Sequence, residues 1–181
     1  MPLIQTGSAR FYFAHIPRTG GRSYIQAMVR SGASVNYEIG RGLRHPHPTW
    51  NETRRIHGEV GCIAVVREPV DRFLSAMRFE DRCTSEADLK KKIRSMRNPP
   101  SVQERHFLPQ VDFLPPHAKI YRYESDMDEL EDTLRSFGLI APKVQVGRIM
   151  AGNNGVHLSS RSGLTKVRRW YRMDYKAVGY T

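Results

Sequence analysis

The chain has 181 residues, a length that suits one domain with a sizeable buried core. Its 29 basic and 18 acidic residues give a formal net charge of +11, which predicts an anionic partner. No apolar run approaches the roughly 20 residues that span a bilayer, and the first residues lack the pattern of a signal peptide. Two cysteines are too few for a disulfide framework. We therefore expect a single cytoplasmic domain over residues 1–181, with no membrane segment.

The stretch from Phe11 to Met28 predicts a strand, a tight basic loop and a helix. Residues 11–16 are mainly apolar and aromatic, and apolar residues recur at helical spacing from Ser23 onward. Gly20 and Gly21 allow a sharp turn and the close approach of a ligand to the backbone. A loop that enters a helix in this way presents amide donors and the positive end of the helix dipole. We predict a phosphate or sulfate site formed by Arg18, Thr19, Gly20, Gly21, Arg22 and Ser23.

A second stretch repeats this architecture. Cys62–Val66 is a continuous apolar run, typical of a strand covered on both faces, and Arg67 follows it. A helical pattern resumes after Pro69. Ala118–Tyr123 predicts another strand, which leads to an acidic helix that we expect Ser125 to cap.

Strands that alternate with helices predict an α/β fold with three layers, α/β/α, around a mostly parallel central sheet. Further elements complete the pattern: a short strand at Val35–Ile39, helices at Trp50–Ile56, Ser85–Arg97 and Leu164–Gly179, and short helical turns within Val102–Leu114.

In such sheets, ligands bind outside the carboxyl ends of the strands. This rule predicts that the basic loop 18–23, the loop from Gly40 to His47 and Arg67 share one rim. It places His57 at the opposite rim, because the short helix before it carries the chain back.

The two strand–loop–helix stretches resemble the sulfotransferases that use 3′-phosphoadenosine 5′-phosphosulfate (PAPS), most closely the carbohydrate-type branch. The first motif of that family, close to H-I-P-K-T-G-G-T-S, stands here as HIPRTGGRS over residues 15–23. The second, V-R-[DN]-P followed by [ED]-R-[FL]-x-S, stands as VREPVDRFLS over residues 66–75. Weaker similarities follow in the expected order at residues 106–110, 123–124 and 171–180. The loop lacks the Walker pattern G-x-x-x-x-G-K-[ST], which disfavours a kinase.

The resemblance implies a P-loop NTPase-like sulfotransferase fold and transfer of a sulfuryl group from PAPS to an acceptor hydroxyl, on a carbohydrate. Residues 18–23 would hold the 5′-phosphosulfate, while Arg67 and Ser75 would hold the 3′-phosphate. Adenosine 3′,5′-bisphosphate would be the product. We expect in-line transfer without a metal, because arginines neutralise the leaving phosphate.

Two positions depart from the family pattern. Arg18 stands where lysine is usual, and Arg22 stands where threonine or serine is usual. An arginine stays charged, so a catalytic Arg18 would stabilise charge on the bridging oxygen without protonating it.

Attack by a hydroxyl requires a general base, and histidine is the usual choice near neutral pH. We predict His47 as the base, with His45 next, because both lie in the loop at the ligand rim. His57 and His106 are further alternatives. His15, at the end of a buried strand, is expected to be a hydrogen-bonded core residue.

Two other functions fit the charge: a basic nucleic-acid-binding domain, and a nucleotide-binding protein without turnover. The arginines stand at strand–helix junctions, and aromatic residues are not interleaved with basic ones as in a nucleic-acid platform. We therefore expect a nucleotide co-substrate and a hydroxyl-bearing acceptor as partners, and no nucleic acid. Gln110 is a weaker candidate for contact with the acceptor.

Overall fold

The structure, a computed structural model, describes residues 2–7, 10–36, 47–79, 85–95, 102–147 and 160–181. Five strands lie within these ranges: β1 Leu3–Gln5, β2 Arg10–Ala14, β3 Ser34–Asn36, β4 Gly61–Val66 and β5 Lys119–Arg122. The helices are α1 Gly21–Arg30, α2 Trp50–His57, α3 Pro69–Phe79, α4 Glu86–Ser95, α5 Met127–Ser136, α6 Arg161–Trp170 and α7 Arg172–Val178. Two 3₁₀ turns, Val102–Phe107 and Gln110–Phe113, lie between α4 and β5.

The strands form one sheet in the order β3-β1-β2-β4-β5. β2, β4 and β5 are neighbours and run parallel. β1 pairs antiparallel with both β2 and β3, so β1 alone runs against the other strands. The expected α/β fold with a mostly parallel sheet is confirmed, whereas β1 was not predicted.

Side chains of the central strands alternate between two buried faces. Phe11 and Phe13 of β2 face the core that holds α1 and α5. Tyr12 and Ala14 face the opposite core, which includes Trp50 of α2 together with residues of α7 and the second 3₁₀ turn. Helices therefore cover both faces of the sheet, and this arrangement explains the uninterrupted apolar sequence of β4.

A separate apolar cluster joins α3, α4, α6 and the first 3₁₀ turn. Phe73, Leu89 and Val167 are fully buried in it. α3 is thus packed on helices along one side, while another of its faces borders the cleft described below.

Two local predictions are wrong. Ser125 does not cap α5, because Asp126 is the N-cap residue. The Ser125 hydroxyl donates to the Asp126 carboxylate at 2.5 Å. The expected C-terminal helix is two helices, because the chain breaks at Tyr171 between α6 and α7.

Some predictions concern residues 37–46, including His45, and lie outside the described residues. Among the helices that the structure describes, none is long and apolar enough to cross a membrane.

Candidate active site

A cleft of about 820 Å³ opens at the carboxyl ends of β2 and β4, the rim at which the sequence predicts a ligand. This volume lies in the usual range for small-molecule sites. The walls come from the loop after β2, from α3, from the residues after β5, and from His47 and His106.

The glycine pair in the loop after β2 is required by close packing. Gly20 has φ +82°, and a Cβ atom there would lie 2.8 Å from a ring carbon of Tyr123. A Cβ atom on Gly21 would lie 3.0 Å from the ring of Phe13. α1 therefore begins directly at the cleft, where Gly21, Arg22 and Ser23 line the wall. The amides of a first helical turn are natural anion donors.

Arg18 lines the cleft and has a left-handed backbone conformation, with φ +69°. Its Nε donates to the Ser75 hydroxyl at 3.2 Å, and its guanidinium lies 4.6 Å from the centre of the Phe79 ring. Burial lowers the pKa of Arg18, and the positive charges of Arg67 and Arg78 lower it further. An anion in the cleft would relieve this repulsion.

Thr19 is fully buried, and its hydroxyl donates to the carbonyl oxygen of Ile16 at 2.9 Å. The Thr19 side chain therefore stabilises the turn and does not line the cleft. Any contact of Thr19 with a ligand has to come from its backbone.

Arg67 lies beside Arg18 at the end of β4. Its Nη1 donates to the carbonyl oxygen of Arg18 at 3.5 Å, and its guanidinium lies 4.9 Å from the centre of the Tyr123 ring. The structure thus brings Arg18, Arg67 and Ser75 together, although 57 positions separate the first from the last.

Gln110 forms hydrogen bonds with both backbone groups of Arg67. The amide of Arg67 donates to Gln110 Oε1 at 2.9 Å, and Gln110 Nε2 donates to the carbonyl oxygen of Arg67 at 2.8 Å. Gln110 is fully buried, so the expectation that it contacts an acceptor is wrong. It extends the hydrogen bonding of β4 by one residue and fixes the position of Arg67.

Arg72 is a second supporting residue that the sequence analysis missed. It is fully buried, and its guanidinium donates to the carbonyl oxygens of Pro17 at 3.4 Å and His106 at 3.1 Å, and also to that of Leu108. Arg72 therefore links the loop that carries Arg18 to the segment that carries His106. Arg72 could have been noticed as an arginine of the second motif. Its carbonyl partners lie far from it in the sequence, so the sequence does not reveal them.

Three histidines that line the cleft lie side by side. The ring centres of His15 and His47 are 4.7 Å apart, and those of His47 and His106 are 5.2 Å apart. His57 lies elsewhere, at the far end of α2, with its ring 5.9 Å from that of Tyr12.

The geometry of His47 defines the protonation of its ring. His47 Nδ1 lies 3.2 Å from the carbonyl oxygen of His15. Because a carbonyl oxygen only accepts, Nδ1 has to donate, and Nε2 is then the basic nitrogen of the neutral ring.

The expectation that His15 is a hydrogen-bonded core residue is wrong: His15 lines the cleft, and its Nδ1 has no hydrogen-bond partner among the described residues. Burial, followed by nearby positive charges, lowers the pKa of His15 to about 4. A histidine with this pKa is neutral near pH 7 and binds a proton poorly.

The backbone of His47 is anchored by Arg105 of the first 3₁₀ turn, which is itself paired with Glu52 of α2. Arg105 donates to the carbonyl oxygen of His47 at 3.1 Å and to Glu52 at 2.5 Å. The hydrogen bond from Arg105 is the main reason that the pKa of Glu52 falls to about 2. Glu52 also completes a capping box with Thr49, so the start of α2 and His47 are held as one unit.

Two buried guanidinium nitrogens in the cleft lack partners. Arg67 Nε and Arg78 Nε have no hydrogen-bond partner among the described residues, and both side chains line the cleft. Buried polar groups are nearly always hydrogen-bonded, and guanidinium groups bind phosphate and sulfate oxygens well. These donors fit a ligand with several anionic groups. In the described part of the chain, no cluster of three or more metal-binding side chains occurs.

Comparison with known proteins agrees with this site. Residues 2–181 match the sequence profile of the sulfotransferase family, and the chain belongs to that family. Searches of curated proteins and of solved structures found no match. Membership of this family means that the protein is a transferase and that its general activity is sulfuryl transfer.

Proposed function

We propose that this protein transfers the sulfuryl group of PAPS to a hydroxyl group on a carbohydrate, using one domain over residues 1–181. The observation that carries this proposal is the convergence of Arg18, Arg67 and Ser75 on one cleft, with unpartnered guanidinium donors pointing to a polyanionic ligand. A cytoplasmic location remains a prediction of the sequence alone.

In this proposal, the two anionic ends of the nucleotide are bound by different elements. The first turn of α1 and the loop from Arg18 to Ser23 hold the 5′-phosphosulfate, with Thr19 contributing its backbone only. Arg67 and Ser75 hold the 3′-phosphate. When bound, PAPS supplies an activated sulfuryl group, which the acceptor oxygen attacks in line with the bond to the leaving phosphate.

His47 acts as the general base and takes the acceptor proton at Nε2. Arg18 stabilises the negative charge that develops on the leaving oxygen and transfers no proton. This division of roles is supported by the hydrogen bond of His47 Nδ1 to His15, which leaves Nε2 as the basic nitrogen. His106 is the nearest described alternative, because its ring neighbours that of His47.

Nucleotide binding is tested by thermal unfolding in the presence of adenosine 3′,5′-bisphosphate. A ligand that binds only the folded state raises Tm with concentration. We expect this shift in the wild-type protein and in His47→Ala, and its loss in Arg67→Ala. If duplex DNA raises Tm while the bisphosphate does not, the protein is a nucleic-acid-binding domain.

Turnover is tested with labelled PAPS and a panel of glycans, phenols and small alcohols. We expect labelled product with glycans, and a loss of at least about 100-fold in kcat for His47→Ala, the usual contribution of a general base. Full activity of His47→Ala would assign the base to another residue. Nucleotide binding without product from any acceptor class would favour a binding protein without turnover.

A further inference from the structure

A second, smaller pocket lies between α4 and α6, two helices of the apolar cluster that includes α3. Its volume is about 220 Å³. The lining residues are Lys90, Ile93 and Arg94 of α4 and Ser162, Gly163 and Lys166 of α6. None of these six residues lines the cleft. The pocket is therefore a separate feature of the molecule, and the proposed sulfuryl transfer does not use it.

The charges of this pocket come from both helices. Lys90 and Arg94 are four residues apart and share one face of α4, and Lys166 contributes a third cation from α6. None of the described residues that line the pocket is acidic. Three like charges around one small volume repel one another, and an anion between them removes this repulsion.

The described carboxylates neutralise little of this charge. Lys90 Nζ lies 3.4 Å from Glu86 Oε1, but the two side chains are 49% and 36% exposed. Such surface ion pairs contribute little, so Lys90 can turn to another anion at small cost. Arg94 and Lys166 form no ion pair with a described carboxylate. The pocket therefore keeps most of its positive charge for a ligand.

The backbones that carry the cations are held in place by the apolar cluster. Leu89 precedes Lys90 and Val167 follows Lys166, and the side chains of Leu89 and Val167 are fully buried in that cluster. The two walls of the pocket are thus fixed before a ligand arrives. Such preorganisation lowers the entropic cost of binding.

The helices around the pocket are strongly basic. α4 and α6 together contain eight basic and two acidic residues, a net charge of +6 out of the +11 of the whole chain. The field of these helices raises the local concentration of anions at the pocket.

We propose that this pocket binds a phosphate monoester. Such a group carries about two negative charges near pH 7 and three acceptor oxygens, which suits three cations. Arg94 offers a planar guanidinium that pairs with phosphate through two hydrogen bonds, while lysines act as point charges. Ile93 offers an apolar contact to the carbon atoms beside the ester oxygen. The volume lies below the usual range of about 300–1,000 Å³ for small-molecule sites, so the phosphate enters with only a few further atoms.

Calorimetric titration with glycerol 1-phosphate, a soluble phosphate monoester, tests the pocket. The protein is first saturated with adenosine 3′,5′-bisphosphate, so that the anion donors of the cleft are occupied. We expect one binding site per chain, and a rise in Kd of at least about 10-fold in Arg94→Gln and in Lys166→Gln, since each loses one of the three cations. No binding by the wild-type protein, or an unchanged Kd in both variants, would overturn the inference.

Lys91→Gln and Arg169→Gln are the matched controls. Each removes one positive charge from an exposed site on α4 or α6 that does not line the pocket. The Kd of glycerol 1-phosphate should change by less than about 2-fold, because exposed charges at a distance are screened by salt. A loss as large as that in the pocket variants would mean that only the general field of the helices attracts the ligand, and the proposed site would be wrong.

A phosphate diester tests the chemical class of the ligand. Dimethyl phosphate carries a single negative charge, and we expect its Kd to be at least about 10-fold higher than that of glycerol 1-phosphate. Equal affinity for the two compounds would rule out a site for phosphate monoesters.

Vesicles distinguish the two sources of such a group, a soluble ester and a lipid headgroup. Phosphatidic acid exposes a phosphate monoester, whereas phosphatidylglycerol contains only a diester. Co-sedimentation with phosphatidylcholine vesicles that contain phosphatidic acid, but not with vesicles of equal charge that contain phosphatidylglycerol, would identify the lipid headgroup, provided that Arg94→Gln abolishes it. Binding of glycerol 1-phosphate without co-sedimentation with either kind of vesicle would identify a soluble ester.

This inference does not rest on the proposed function, and the same variants separate the two. The Kd of adenosine 3′,5′-bisphosphate should be unchanged in Arg94→Gln and Lys166→Gln, and the Kd of glycerol 1-phosphate should be unchanged in Arg67→Ala. Weaker bisphosphate binding in both pocket variants would assign the pocket to the nucleotide site and overturn the inference. If the wild-type protein does not bind the bisphosphate at all, the proposed function fails, and titration of the pocket variants with glycerol 1-phosphate alone still decides this inference.

Discussion

At the scale of single residues, the cleft depends on side chains that do not line it. Gln110 pairs with both backbone groups of Arg67, and Arg72 joins three carbonyl groups from two segments. Asp174, also fully buried, accepts from the amides of Gln110 and Val111 and so fixes the turn that presents Gln110. The position of Arg67 is thus set by a chain of buried hydrogen bonds.

Gln110→Met tests this support. The variant leaves the amide and carbonyl group of Arg67 without partners, at a cost of about 1–3 kcal/mol for each. We expect a loss of about 2–6 kcal/mol in the free energy of unfolding, measured with urea, and weaker binding of adenosine 3′,5′-bisphosphate. The matched control is Gln5→Met, at an exposed site on β1, which should change neither quantity. Unaltered bisphosphate affinity in Gln110→Met would show that Arg67 does not need this support.

His15 predicts a dependence of stability on pH. Its pKa is about 4 in the folded protein and about 6.5 in an unfolded chain. Between these values the unfolded chain binds more protons, so stability falls as pH falls from 6.5 to 4, by up to about 3 kcal/mol. His15→Gln cannot titrate, and its unfolding free energy should decline less over this window. Identical slopes for the two proteins in urea denaturation would contradict this assignment.

At the scale of elements, the loop between β2 and α1 combines two constraints on one glycine. Gly20 has a positive φ, which glycine tolerates, and it also lies against Tyr123. Gly32, after α1, has φ +87° but nothing within 4 Å of the place of a Cβ atom. A comparison of Gly20 with Gly32 therefore separates the cost of backbone strain from the cost of steric contact.

Gly20→Ala should therefore cost more than Gly32→Ala. We expect about 1–2 kcal/mol for Gly32→Ala from strain alone, and at least 1 kcal/mol more for Gly20→Ala because the tyrosine ring has to move. Gly20→Ala should also weaken bisphosphate binding, whereas Gly32→Ala should not. Thermal unfolding and calorimetry measure both effects, and equal costs for the two variants would argue against contact with Tyr123.

At the scale of the whole molecule, β1 connects the parallel part of the sheet to β3. Ile4 of β1 is fully buried, and both neighbours of β1 in the sheet pair with it antiparallel. Without this three-residue strand, β2 would be an edge of the sheet and β3 would have no pairing partner.

Ile4→Ala should destabilise the whole fold by about 2–5 kcal/mol, the usual cost of a cavity in a core. Val29→Ala, at a site on α1 that is 52% exposed, is the control and should stay within about 0.5 kcal/mol. Urea denaturation measures both. A loss in Ile4→Ala no larger than that of the control would show that β1 contributes little to the stability of the sheet.

Much of the fold was predictable because local patterns match the elements they form. The apolar runs predict β2 and β4. The glycine pair, together with the apolar spacing after it, predicts the start of α1. α2 begins at Trp50, the predicted residue, and a capping box at Thr49 precedes it. β1 escaped prediction because three residues carry too little periodicity to be recognised.

The sequence by itself determined the glycine-containing basic loop after β2, the arginine after β4 and the family to which they point, because residue type and order carry these features. Only the tertiary structure decided which residues act together. It buried Thr19 and Gln110, placed Arg72 as a link between segments, and grouped His15, His47 and His106. These contacts join positions far apart in the chain, and they exist only because parallel strands bring their carboxyl ends to one rim.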